Sequence, residues 1–218
     1  MSEPDTRTPR ERYRAQVQEE IKRHAWGQIA TAGASALSLN AIAKQMGMSG
    51  PALYRYFANR DELITELVKD AYRGLADTFA ARVEAGADLD DLADALRRWA
   101  LDNPQRYFLL YGTPVPGYRA PGDTTRIADE IMAHLLDVCA AGQPTTTPHP
   151  LDSHVAEHRD GTDERPAPSR TTGSRALAFW TRLHGVLSLE LAGHFTGMGL
   201  DPAELYADEV RALGDQWG

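Results

Sequence analysis

The sequence predicts an all-α fold: an N-terminal three-helix bundle containing a helix-turn-helix, followed by a C-terminal helical body. Three observations carry this. Apolar residues recur at spacings of three and four along most of the 218-residue chain. Polar residues able to accept from orphan backbone N–H groups stand just before several of those runs. No segment keeps the apolar–polar alternation of a strand, and there is no internal repeat.

Residues 1–9 read as a flexible polar tail. A first helix from Arg10 to about Thr31 carries Tyr13, Val17, Ile21, Ala25 and Ile29 four apart on one face. Gly33-Ala-Ser then links to a stretch, 38–63, SLNAIAKQMGMSGPALYRYFANRDEL. Ser38 is the expected N-cap of a short helix with Ala41, Ile42 and Met46 as its apolar stripe, and Gly47 is its expected left-handed stop. Ser49 caps again, with Pro51 in the first turn of a second helix, Gly50 to Phe57, that buries Leu53 and Phe57. Asn59 with Glu62 three residues on resembles a capping box and opens a long helix from Arg60 to about Glu84. Two short helices joined by a tight glycine-containing turn form the pattern of a DNA-reading helix-turn-helix.

Further on, Asp88 to Leu101 is expected helical, with Leu89, Leu92, Leu96 and Trp99 inward and an acidic first turn that suits the helix dipole. Asn103-Pro104 opens a short helix, QRYFLLYG, and a Pro/Gly-rich loop, TPVPGYRAPGD, follows. Thr124 to about Ala141 is helical. Residues 142–173 are rich in Pro, Thr, Asp and His and poor in large apolar groups, and are read as a mobile insertion outside the core. Ser174 to Phe195 is apolar on most sides, more than one subunit's core would cover, so its second face is expected to meet a partner. Asp201, Pro202 and Glu204 open the last helix, with Leu205, Val210 and Leu213 on its apolar side.

Composition narrows the function. The net charge is −8, yet residues 1–60 hold nine basic against five acidic residues and the remainder fourteen against twenty-six. A basic N-terminal module on an acidic body suits phosphate binding by one end. Cys139 is the single cysteine, so no intramolecular disulfide can form. No apolar leader opens the chain, and no run approaches the ~20 apolar residues that cross a bilayer; the expected location is cytoplasmic, with no membrane partner. A Gly-rich phosphate loop, an H-E-x-x-H pair and a nucleophile–base pair are absent from the sequence, so no catalytic residue and no cofactor is expected. His149, His154 and His158 lie in the insertion without a helix to fix ligand geometry, and no metal site is assigned to them.

Residues 10–70, through LSLNAIAKQMGMSGPALYRYF and NRDEL, resemble the N-terminal domain of TetR-family transcriptional regulators. W-T-R-L-H-G at Trp180 to Gly185, with the preceding NPQRYFLLYGTPVPGY, resembles the subgroup named for its Trp-His-Gly (WHG) signature. The resemblance implies an all-helical homodimer in which 10–58 forms the DNA-binding domain and 59–218 the ligand-binding and dimerising domain. It implies a repressor, released from a palindromic operator by a small molecule. An activator, a ligand-independent regulator, or an all-helical enzyme or carrier using the body are the alternatives.

Carried over position by position, Asn40, Gly50, Pro51 and Tyr54 fall where family members contact bases or neighbouring phosphates, and Ser38, Tyr56 and Arg60 where they contact phosphates. Ser49, Ala52 and Arg55 complete the expected DNA-facing set. Ala52 stands where many members have Thr, and Gly50 offers no side chain, so base reading is expected to lean on Asn40, Arg55 or DNA shape. Trp99, Tyr107, Phe108, Tyr111, Tyr118, His134, Trp180 and His184 are the candidate ligand-binding residues, for an effector of largely apolar or aromatic character. An aromatic stripe at helical spacing is more often plain core, and His184 with Gly185 also reads as a core histidine beside a close helix approach.

Overall fold

Capping and burial together account for where the helices begin, end and face. The computed structural model describes residues 8–142 and 170–217, and among them are nine helices and no strand. They are α1 (Pro9–Ala32), α2 (Leu39–Gln45), α3 (Gly50–Leu53), α4 (Arg60–Glu84), α5 (Leu89–Asp102), α6 (Pro104–Tyr111), α7 (Gly122–Ala141), α8 (Arg170–Leu191) and α9 (Pro202–Trp217). The all-α expectation holds. The chain forms two compact units: Met1–Ala71 with Gln105–Thr124, and Tyr72–Pro104 with Thr125–Gly218.

In the first unit, α1 starts earlier than its periodicity suggested. Thr8 caps it in a reciprocal box with Glu11, and Pro9 occupies the first turn, so Thr8 and Pro9 belong to the helix start and not to a tail. Val17, Ile21, Ala25 and Ile29 are buried as expected, but Tyr13 is 64% exposed. The inward stripe therefore begins one turn later. In α2 the buried residues are Leu39, Ile42 and Ala43, not Ala41 or Met46. Ser38 does cap α2, accepting from the Ala41 N–H. Gly47 (φ 65°) is its left-handed stop, with Met48 N–H donating to the Ala43 carbonyl and Gly47 N–H to Lys44.

The second helix of the motif is shorter than expected. α3 covers only Gly50–Leu53, and residues 54–57 continue as hydrogen-bonded turns, with Tyr56 and Phe57 N–H both donating to the Leu53 carbonyl. Ser49 stands at the N-cap position, but its hydroxyl makes no capping hydrogen bond. Ile42, Leu53, Leu63 and Leu67 are fully buried and Phe57 nearly so, which locks α2 and α3 against their neighbours in this unit. Burying each such side chain contributes about 1.5–3 kcal/mol. Lys22 bridges Glu19 and Asp70 at 2.6 and 2.7 Å, joining α1 to α4.

In the second unit α8 packs on α9 and on α5. The Tyr206 hydroxyl, buried on α9, donates to the Ala93 carbonyl of α5 at 2.8 Å. Arg97 pairs with Glu190 at 2.5 Å and lies over the Tyr206 ring. α8 begins at Arg170, so 170–173 are helical and not insertion; residues 143–169 lie outside the described part. It also ends at Leu191, ahead of the expected Phe195, with Gly193 (φ 76°) just beyond.

Removing the Tyr206 hydroxyl strands the Ala93 carbonyl in a buried site. Tyr206→Phe is expected to lower stability by about 1–2 kcal/mol in urea unfolding.

Candidate nucleic-acid interface

Helices α2 and α3 are both too short to keep their own position, so the interface is built by what holds them. Ser38 is fixed at the head of α2 by Gln28 of α1: Ser38 N–H donates to Gln28 Oε1 at 2.9 Å, and Gln28 Nε2 donates back to the Ser38 carbonyl at 3.5 Å. On the far side Arg60, the first residue of α4, reaches over the α1–α2 link. Its Nε donates to the Leu37 carbonyl at 3.2 Å, and its Nη2 to Ala34 and Ser35 at 2.9 and 3.2 Å. Nη1 stands 3.8 Å from Asp61. Glu62 N–H donates to Asn59 Oδ1, and the Glu62 carboxylate accepts from Ala58 N–H, so the expected box closes one residue before its cap.

The structure brings Asn40 and Gly50 together. A β-carbon added at Gly50 would stand 3.5 Å from Asn40 Oδ1, so the two helix starts meet edge to edge. Asn40, Ser49, Pro51, Tyr54 and Arg55 are exposed, while Ser38, Gly50, Ala52, Tyr56 and Arg60 are half-buried. Three of the ten sequence-named residues thus have internal work. Ser38 caps, Arg60 binds backbone carbonyls, and the Tyr56 ring lies beneath the Arg14 guanidinium at 5.3 Å. Arg14 itself donates to the Arg55 carbonyl at 3.0 Å. Sequence reading missed Arg14 and Gln28, because contacts spanning 41 and 10 residues leave no local pattern. Lys44, exposed on α2, was legible only as a charge.

The candidate ligand residues fall in two groups. In the first unit Tyr107 is fully buried, with Phe108 edge-on at 6.0 Å and Tyr111 tilted at 5.3 Å. There Tyr118 meets the Thr65 hydroxyl at 3.1 Å, and Asp123 pairs with Lys69 at 2.5 Å, fastening the α6–α7 loop to α4. In the second unit the Trp180 and His184 rings meet at 4.2 Å, tilted by 54°, Trp99 is buried, and a β-carbon at Gly74 would stand 3.5 Å from its indole nitrogen. His134 is half-buried on α7. Burial pushes the His184 imidazolium down to about 4 and the Cys139 thiol up to about 12, so both are neutral at pH 7. Among the described residues nothing lies within 4 Å of a β-carbon placed on Gly185, so the glycine does not serve to admit a described helix of its own subunit. It lies on an exposed strip of α8 with Leu177, Thr181 and Leu189. Among the described residues no cluster of His, Cys, Asp or Glu could hold a metal ion, and no helix is long and apolar enough to cross a membrane.

Comparison with known proteins agrees with this geometry. Residues 21–67 match the family described as bacterial regulatory proteins, tetR family, and residues 89–213 match the tetracyclin repressor-like C-terminal domain. The chain is 38% identical over 216 residues to the HTH-type transcriptional regulator Rv1816 of Mycobacterium tuberculosis, covering 92% of each. It is 66% identical to the crystal structure of SCO4313, a protein described only as regulatory, with a TM-score of 0.87 over 94% of this chain and 98% of that one. A TetR/AcrR-family regulator from Thermobifida fusca shares the fold at 20% identity, with a TM-score of 0.58 over 91% and 96%.

His184 gives a pH signature. Its folded value lies below the ordinary 6.5, so as pH falls the unfolded chain takes up the proton first. The associated stability is complete above about pH 6.5 and declines on descent towards about pH 4. Urea titrations at pH 7 and pH 5 are expected to differ by about 2 kcal/mol more in the native chain than in His184→Gln. Identical pH dependence in the two would contradict the assignment.

Proposed function

Because the chain belongs to the TetR family of bacterial regulatory proteins, and is a helix-turn-helix DNA-binding transcriptional regulator, we propose that it is a repressor that binds a palindromic operator as a homodimer and leaves it when a small molecule binds the body. The observation that carries the DNA-reading part is the convergence of Asn40 and Gly50 beside the exposed Pro51, Tyr54 and Arg55. In this reading α3 enters the major groove while α2 crosses the backbone. Asn40 reaches a base edge, where an amide can bond adenine in two places. Pro51 packs on a thymine methyl, and Tyr54, Ser49 and Lys44 address phosphates. Ala52 and Gly50 add backbone proximity without a hydroxyl.

The dimer forms through the exposed strip of α8, where Leu177, Leu189 and the bare Gly185 offer apolar surface that no described part of the same chain covers. Residues 10–58 are then the reading domain, and 59–218 the dimerising and sensing one. The effector is largely apolar or aromatic. Trp180, Trp99 and the neutral His184 supply ring faces and a hydrogen-bonding edge, with the half-buried His134 on α7 as a further candidate. In the first unit Tyr107, Phe108, Tyr111 and Tyr118 line α6 and the loop tied to α4. An effector shifts the population by its differential affinity for two half-site spacings, and α4, which starts at the reading domain and continues for 25 residues, transmits the difference.

Selection of duplex DNA from a random pool by the purified protein is expected to enrich an inverted repeat; enrichment of nothing at low salt would overturn the proposal. On the selected duplex, Asn40→Ala is expected to cost about 1–3 kcal/mol and to relax preference at one position per half-site. Lys44→Ala is expected to weaken all duplexes alike and to lower the salt slope by about 0.9 for each phosphate that Lys44 neutralises.

A further inference from the structure

Residues 54–57 carry two of the proposed DNA-facing side chains, Tyr54 and Arg55, yet they lie beyond the single turn of α3 and are held only as turns. Something outside this segment must fix its backbone. Arg14 of α1 makes two contacts there with different chemistry. Its Nη2 donates to the Arg55 carbonyl at 3.0 Å, and its guanidinium carbon lies 5.3 Å from the centre of the Tyr56 ring. The donated hydrogen bond fixes one peptide unit, and the cation over the ring restrains the next side chain. A guanidinium suits both contacts at once because its rigid, planar set of donors can bond the carbonyl while its charge lies over the ring; an ammonium is a compact point charge without that fixed geometry.

We propose that Arg14 is a positioning residue for DNA recognition, acting through the Arg55 peptide and the Tyr56 ring to hold the end of the recognition segment. The proposal rests on the DNA-reading function above. Arg14 keeps Tyr54 and Arg55 aimed by clamping the turn between them and the core residue Phe57, which is 2% exposed. Its positive charge serves this clamp and not a DNA phosphate.

The test uses the full-length dimer and the duplex selected by the unsubstituted protein. Arg14→Gln and Arg14→Lys are both expected to bind that duplex about tenfold more weakly, as removal of a charge-assisted hydrogen bond predicts. Affinity for unrelated duplex is expected to change little, and the slope of log affinity against log salt to stay as it was. Tyr56→Leu combined with Arg14→Gln is expected to weaken binding by less than the product of the two single effects, because each removes the same clamp. Recovery of full affinity by Arg14→Lys, or a shallower salt slope in Arg14→Gln, would make Arg14 a phosphate ligand and overturn the proposal. So would native affinity in both variants. If the unsubstituted protein selects no duplex, the DNA-reading function fails first and this proposal falls with it; thermal melting of each variant shows that the fold is intact.

Discussion

Helices α2 and α3 hold seven and four residues, well below the roughly 12–15 at which an isolated helix becomes even marginally stable in water. Their geometry is therefore imposed from outside, and the DNA-reading surface depends on that imposition. Burial of Ile42, Leu53 and Phe57 sets the distance of the motif from the core of its unit. It does not set the angle, because apolar contact is non-directional. Direction comes from hydrogen bonds that span the chain: Gln28 on Ser38, Arg60 on the carbonyls of Ala34, Ser35 and Leu37, and Arg14 on the Arg55 carbonyl. Each supplies a donor or acceptor to a backbone group in the links and turns beside the short helices, the Ala34 and Ser38 carbonyls accepting from Leu37 and Ile42 N–H as well.

This changes how the basic charge of the N-terminal region is read. Part of it is structural. Arg60 is occupied by carbonyls, Lys22 is half-buried between two carboxylates, and Arg14 is engaged with Tyr56 and a peptide oxygen. The basic side chains that stay exposed include Lys44 and Arg55. In the proposed reading, affinity for DNA rests on those exposed charges, and specificity on Asn40, Pro51 and Tyr54.

Much of the fold was legible in the sequence, because the cues were local. Ser38, Gly47 and Asn59 mark helix ends within a few residues of the groups they satisfy, and the bounds of α4 follow from its apolar repeat. The failures share a cause. Tyr13 fits the α1 periodicity but is exposed, one turn ahead of the buried stripe that starts at Val17. α3 was expected to run to Phe57, since L-Y-R-Y-F repeats like a helix, yet its last residues settle into turns. The deeply buried Tyr206 went unnoticed because its partner, the Ala93 carbonyl, is 113 residues away. At the candidate interface the residue types were readable, whereas their division into reading and clamping roles was not: Arg60 looks like a phosphate ligand in sequence and is bonded to backbone in space.

Arg60 also stands where α4 begins, so the residue that fixes the α1–α2 link opens the helix proposed to carry the effector's signal. The decisive measurement is the salt dependence of duplex binding by Arg60→Gln beside the unsubstituted protein, on the selected operator. A clamp predicts weaker binding with an unchanged slope, because a guanidinium bonded to carbonyls displaces no counterion from the duplex. A slope reduced by about 0.9 for every Arg60 in the complex would place its guanidinium on phosphate, and contradict the account in which the reading surface is set by backbone hydrogen bonds from the start of α4.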